Sequence, residues 1–283
     1  MADPIIGRHG RMDQIAVISD VHGNVTALEA VLADIAARGI TRILNLGDVV
    51  GKGPRGSEAI KLTRETCEVT VRGNWDTFIA RDAVQPFEGG QWARDELTDD
   101  DILWLAALPN THELVMSGKR VRLFHASQTS EFVRVRVQHT RDEFLGMFTN
   151  TPFTGEFRAG GWPPGTTPDV VGYGDIHGTY LAADDGLMLF NAGAVGNHLD
   201  GPSAPYVILE GAVGSVVPES FSVNFIRVPY DIEAEVDVAR DLGMPDIDAY
   251  ALELRERASI GATALRPRDQ QGRAVCRWAG SQP

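Results

Sequence analysis

Short apolar runs rich in Val, Ile and Leu alternate with amphipathic stretches along the first part of the chain. Residues 14–19 (QIAVIS) predict a strand, and residues 24–38 predict a helix that gathers Leu28, Val31, Leu32 and Ile35 on one face before Gly39 closes it. The unit then recurs, with a strand at 42–46, a Gly-rich loop at 47–56, a helix at 57–65, a strand at 67–71 and a helix at 75–82. A parallel pair needs a crossover, so this alternation predicts parallel strands with helices packed on both faces. The helical pattern returns at 91–107, where Thr98 suits an N-cap and the charges of Asp99, Asp100 and Asp101 suit a helix N-terminus.

After Pro109 the pattern shifts to a hairpin, with strands at 113–116 and 120–125 joined by a Ser-Gly turn. Strands at 170–173, 178–182, 187–190, 205–210 and 222–228 are expected to complete a second sheet. The least regular stretch, 128–168, is long and rich in Gly and Pro, which marks a functional or a disordered segment. It follows the block around His125 and precedes the block around Asp175, so a cap or rim over a site is expected, with a disordered surface loop as the alternative. The reading is one domain at 14–258, a disordered leader at 1–13, and a solvated tail from 259 that holds Arg266, Arg268, Arg273 and Arg277.

Polar residues punctuate this pattern in five blocks: SDVHGN at 19–24, LGDVVGKGP at 46–54, RGNWD at 72–76, FHAS at 124–127 and GDIHG at 174–178. Each follows an apolar run, as when a strand delivers a polar side chain from its carboxyl end. Singly, their residues have ordinary explanations: Asp20 or Asp48 as a helix cap, His125 as a satisfied core histidine, Asn74 as a turn residue. Jointly, Asp20, His22, Asp48, Asn74, His125, Asp175 and His177 put carboxylates, imidazoles and an amide at strand ends, the donor mix of a two-metal site.

At 283 residues and 43% hydrophobic content the chain can bury a full core, as one large α/β domain or a domain with a small cap. A formal charge of -13 gives no generic attraction to nucleic acid or acidic lipid, so neither a long nucleic acid nor a membrane is an expected partner. An anionic substrate must be drawn by local charge, which bound cations would supply. Cys67 and Cys276 have neither metal-ligand spacing nor the density of a disulfide scaffold. The opening MADPIIGRHGRMDQ lacks the features of a signal peptide and no apolar stretch approaches membrane-spanning length, so a cytoplasmic protein is expected.

The five blocks, in this order, resemble the calcineurin-like metallophosphoesterases, whose pattern runs D-x-H, G-D, G-N-H-[DE], a lone His and G-H-x-H. The resemblance covers roughly residues 14–240. The words SDVHGNVTALEAVL, NLGDVVGKGP, NAGAVGNHLDGP and RVPYDIEAE are similar to the bacterial branch that includes diadenosine tetraphosphate hydrolases. This likeness implies an α/β fold, a four-layer αββα sandwich of two facing mixed sheets with a small cap or rim segment. It also implies a two-metal hydrolase in which Asp48 bridges, Asp20, His22 and His177 complete the first site, and Asn74, His125 and Asp175 complete the second. A metal-bridging hydroxide would attack a small phosphorylated substrate, a nucleotide, with diadenosine tetraphosphate the best single guess. The alternatives are a phosphodiesterase on small nucleotides and a non-catalytic protein-binding scaffold of the same fold. Against the scaffold, every ligand position holds a metal-competent side chain.

Two positions depart from the family pattern. Asp175 stands where the first His of G-H-x-H is expected; the extra carboxylate should weaken the pull on an anionic substrate and favours Mn²⁺ over a thiophilic ion, with iron possible at the first site. Trp75 stands where the G-N-H histidine is expected, and an indole N–H cannot protonate a leaving group. Alkyl phosphomonoesters should then react slowly, whereas phosphoanhydrides release a stable anion. His198 is the candidate substitute acid, a surface histidine being the alternative. Asn24, Lys52 and Arg72 are candidate phosphate contacts; the alternatives are a helix cap, a solvated lysine and a surface ion pair.

Overall fold

A computed structural model describes residues 12–81, 83–199 and 201–255. The expected tail lies outside these residues, as does the expected leader up to residue 11, whereas Asp13 already belongs to a strand. In chain order the first elements are β1 (Asp13–Ile18), α1 (Val25–Ala37), β2 (Arg42–Asn45), α2 (Gly56–Thr66), β3 (Val69–Thr70) and α3 (Asn74–Arg81). They are followed by α4 (Glu88–Asp95), α5 (Asp99–Ala107), β4 (Thr111–Met116), β5 (Lys119–Phe124) and α6 (Arg141–Gly146). The last are β6 (Val170–Tyr173), β7 (Tyr180–Asp184), β8 (Leu187–Asn191), β9 (Ala204–Gly211), β10 (Ser222–Val228), α7 (Ile232–Asp241) and α8 (Ile247–Arg255).

Two five-stranded mixed sheets face each other, with strand orders β10-β9-β1-β2-β3 and β4-β5-β6-β8-β7. β1 shows why the layers stack as they do. Its period of two sends Ile15 and Val17 into the core between the sheets, with Leu123 and Phe190, while Ala16 and Ile18 join the helix-side core with Leu28, Val31 and Ile35 of α1. A third core on the far face of the second sheet gathers Phe124, Val171 and Leu189 with Phe144, Met147 and Phe148. The result is a four-layer αββα sandwich.

Three sequence expectations change. The strands at 205–210 and 222–228 belong to the first sheet, because β9 pairs antiparallel with β1 from Asp13↔Gly211 to Val17↔Val207 and β10 pairs with β9. β9 is buried on both faces, with Val207 and Leu209 between the sheets and Tyr206 and Ile208 under the helices. Its register against β1, not its apolar pattern, places it in this sheet. The helical stretch at 91–107 is two helices, divided at a capping box in which Thr98 and Asp101 bond each other's backbone N–H. The pair α7 and α8, unread in the sequence, packs beside α1, where buried Glu235 accepts from Thr26 at 2.6 Å and from Arg55 at 2.5 Å.

Segment 128–168 is not a loose surface loop. Fully buried Arg122 of β5 pairs with Glu113 at 2.7 Å, bonds Asn150 at 3.0 Å and meets the Thr149 carbonyl at 3.4 Å. One guanidinium fork thus orders the segment against the sheet. Most of it serves as the fourth layer, and only its start, near Glu131 and Arg134, reaches the metal-side crevice.

Candidate metal centre

The site is built where chain leaves sheet. Asp20 and His22 follow β1, Asp48 follows β2, Asn74 opens α3, His125 follows β5, and Asp175 and His177 follow β6. Asp20, His22, Asp48, Asp175 and His177 all adopt left-handed backbone, with φ of 54°, 52°, 54°, 62° and 61°. That conformation turns each side chain sharply out of the strand direction, and Asp and His are among the types that tolerate it. Backbone bonds zip these loops together: Asp20 N–H donates to Gly47 at 2.9 Å, His22 N–H to Asp48 at 2.9 Å, and Gly196 N–H to Asp20 at 2.9 Å.

Five of the seven residues bring donor atoms together, Asn74 joins them through His125, and Asp175 gives its backbone N–H to Asp20 Oδ2 at 3.2 Å while Arg134 holds its carboxylate. The donor atoms of Asp20, His22 and His177 lie within 4.8 Å of one another, as do those of Asp20, Asp48 and His125. Asp48 Oδ2 lies 3.6 Å from His22 Nε2 and 3.4 Å from His125 Nε2, so one carboxylate oxygen stands between the two groups. Asn74 Oδ1 lies 2.8 Å from His125 Nε2.

Three observations fit cations. His22 Nδ1 lies 3.2 Å from the Val50 carbonyl, His125 Nδ1 2.8 Å from that of Leu46, and His177 Nδ1 2.7 Å from that of Asn197. A carbonyl only accepts, so Nδ1 carries a proton in each ring and Nε2 is the nitrogen turned inward toward the other donors, the arrangement found behind metal-binding histidines. The Nε2 atoms of His22 and His177 then face each other at 3.1 Å, two lone pairs that repel unless a cation lies beside them. Asp20 Oδ1 is buried without a hydrogen-bond partner, an acceptor left for an ion.

The ionisation of the cluster follows from crowding. Burial opposes the charge on Asp20, but His177 and the other imidazoles outweigh it and hold the carboxyl below its ordinary range. Burial, reinforced by the charges of Lys52 and His177, pushes His22 well below the usual histidine value. His125 goes the other way: burial disfavours its charge, yet the carboxylates of Asp48 and Asp20 raise it well above that value.

Two residues overlooked in the sequence act on these ligands. Asp76, fully buried, accepts backbone N–H groups from Asp48 at 2.8 Å, Val49 at 2.9 Å and Gly73 at 2.9 Å, and so holds the Asp48 and Asn74 loops together. Burial and the adjacent Asp48 charge raise its carboxyl to about 7. Its signal was the acid that ends RGNWD. Gly73 is required there because a Cβ would collide with the Asp48 carboxylate. The second residue, Arg134, binds both oxygens of Asp175 at 2.7 and 2.6 Å, and nothing in its local sequence, RVRVQ, announces it.

The other candidates are placed as follows. Asn24 is fully buried and caps α1 through Ala27 N–H at 3.0 Å while donating to Gly196 at 3.0 Å and Tyr230 at 3.2 Å, the contacts of the helix-cap alternative. Arg72 bonds Asn110 and lies 3.9 Å from Glu131, the ion-pair alternative. Lys52 Nζ bonds Asn197 Oδ1 at 2.9 Å, the residue whose backbone carbonyl supports His177. His198 is buried, not at the surface, with Nε2 3.0 Å from the Tyr230 hydroxyl. Trp75 gives its backbone N–H to Asp48 Oδ1 at 2.8 Å, and its indole meets the His22 ring edge-on at 5.9 Å.

Two facing sheets that aim histidines and carboxylates into one crevice define a metal-dependent phosphoesterase fold. The chain belongs to the calcineurin-like phosphoesterase family, whose profile matches residues 14–178, and it is accordingly a metal-dependent hydrolase. An uncharacterised protein of Methanocaldococcus jannaschii is 28% identical over 243 residues, covering 77% of this chain and 88% of that protein. The crystal structure of a metallophosphoesterase from Sphaerobacter thermophilus superposes with a TM-score of 0.66 at 24% identity, covering 86% of this chain and 98% of that one. A hypothetical protein from Pyrococcus horikoshii superposes with a TM-score of 0.68 at 17% identity, covering 88% of this chain and all of its own. Among the described residues no helix is long and apolar enough to cross a membrane.

Proposed function

We propose that this enzyme hydrolyses phosphoanhydride bonds in a small nucleotide, with a dinucleoside polyphosphate such as diadenosine tetraphosphate the first substrate to test. Asp20, His22 and His177 would hold one divalent ion, His125, Asn74 and Asp175 a second, and Asp48 would bridge them. The hard oxygen and imidazole donors suit Mn²⁺ at both positions, or iron at the first. Bound ions would supply Lewis acidity and an acidified water. The chain's own contribution is to fix the donors on rigid strand ends and to place Lys52 and Arg134 as positive charges beside the crevice.

The observation that carries this reading is the indole of Trp75, 5.9 Å from His22 where a proton donor to the leaving group would be useful. An indole N–H does not serve as an acid, so substrates that leave as stable anions are favoured. His198, turned toward Tyr230, is the candidate substitute acid. The test is metal analysis together with turnover of diadenosine tetraphosphate, an aryl phosphate, an alkyl phosphate and a cyclic nucleotide. Preference for the anhydride with two bound ions supports the reading; preference for the diester or the alkyl ester overturns it.

A further inference from the structure

A pocket of about 200 Å³ opens beside the crevice. Trp75, Phe87 and Trp92 wall it, Lys52 stands on its metal side, and Asp246 and Glu253 from the α7–α8 pair line it as well. We propose that it seats the nucleobase of the substrate, an amino-bearing purine stacked on these aromatic faces. This assignment rests on the proposed reading of the substrate as a nucleotide and names the part that the metals do not touch.

The walls are fixed before any ligand arrives. Gly51, at φ 83°, lies so close to the Trp75 ring that a Cβ there would collide with the indole. Phe87 stands perpendicular to Trp75, at 6.0 Å between centroids, and Phe78 stacks behind Phe87 at 5.8 Å. Yet Phe87 remains 47% exposed, a large aromatic ring held rigidly at the rim of a pocket. A flat ring system completes such a surface, and base–aromatic stacking is sequence-tolerant and strong.

Charge sets the orientation. Lys52 is tied to Asn197, whose carbonyl supports His177, so the pocket begins next to the metal donors and a phosphate leaving them meets an ammonium first. Glu253 accepts from Asn197 Nδ2 at 2.8 Å beside Lys52, whereas Asp246 carries a carboxylate that repels phosphate and accepts from N–H, as the exocyclic amine of adenine would offer. A volume of about 200 Å³ takes one ring system, so a second nucleoside of a dinucleotide must lie outside.

Calorimetry with the metal-loaded protein tests this by comparing adenosine monophosphate, inosine monophosphate and ribose 5-phosphate. Adenosine monophosphate should bind at least about tenfold more tightly than ribose 5-phosphate, and Phe87→Ala or Trp92→Ala should cut that advantage to about threefold or less. Equal binding of adenosine monophosphate and ribose 5-phosphate by the unaltered protein overturns the pocket assignment. Equal binding of inosine monophosphate overturns the role given to Asp246. The binding comparison does not depend on turnover: base discrimination without anhydride hydrolysis sinks the proposed function and keeps the pocket, and the converse sinks the pocket alone.

Discussion

Arg134 grips Asp175 through two contacts of nearly equal length, 2.7 and 2.6 Å, at the edge of the metal-donor crevice. The sequence led us to expect that a third carboxylate would weaken attraction for an anionic substrate. The guanidinium cancels that excess, so the crevice regains the net charge it would have with two carboxylates. Arg134→Gln should therefore lower kcat/KM on an anhydride about tenfold, or about 1.4 kcal/mol, mainly through KM and with two ions still bound. An unchanged KM would show that the pair is structural only.

Asp48→Asn should bring the metal content down from two ions to one or fewer, because a neutral amide bridges cations poorly. Its effect on folding should be small, since the Trp75 N–H bond to Oδ1 can survive the change. Elemental analysis beside a circular-dichroism melt separates the two effects. Two tightly held ions in Asp48→Asn would remove Asp48 from the bridging role.

Metal entry should release protons at neutral pH. His125 is raised well above the ordinary histidine value, so in the metal-free protein it holds a proton near pH 7 on the nitrogen that faces the donors. A cation must displace that proton, and apparent affinity should climb as pH rises toward the His125 value and level off above it. Titration calorimetry in two buffers of different ionisation enthalpy reads the proton count directly. Identical heats in both would refute it.

Asp76→Asn places an NH₂ group against at least one of three backbone N–H donors now satisfied by a carboxylate. A buried donor left unmatched costs about 1–3 kcal/mol, so Tm should fall by several degrees, about 2–4 °C for each kcal/mol in a chain of this size. Metal affinity should fall as well, since the Asp48 and Asn74 loops lose their shared support. A stable variant with normal metal content would mean that the loops hold without it.

Trp75→His should help poor leaving groups more than good ones, because the benefit of a general acid grows with leaving-group basicity. Rates on an alkyl phosphate, an aryl phosphate and diadenosine tetraphosphate, at matched metal occupancy, give the ratio that decides. An equal change on all three would break the argument from Trp75 to anhydrides.

The seven donor positions were legible because each combines a local apolar run with a polar residue at its end, a signal contained within a few residues. What resisted reading depends on distant partners. β9 looks like any apolar strand, and only its pairing with β1, nearly two hundred residues earlier, says which sheet takes it. Arg134 acquires meaning from Asp175, far along the chain, and Asp76 from amides on two separate loops. The aromatic pocket joins Trp75 and Phe87 to a helix pair at the far end of the described chain, a convergence with no local signature.

The left-handed turns at Asp20, His22, Asp48, Asp175 and His177 bear on when the site comes into being during folding. Each such residue costs at least about 1 kcal/mol, so together they oppose folding by on the order of 5 kcal/mol, a sizeable share of a domain's net stability. The donors come from both sheets, so only their docking brings the set together, and peptides carrying single blocks should show no affinity for the ions. Cation uptake should thus be a late event in refolding, and its appearance would clock the moment at which the two sheets close on each other.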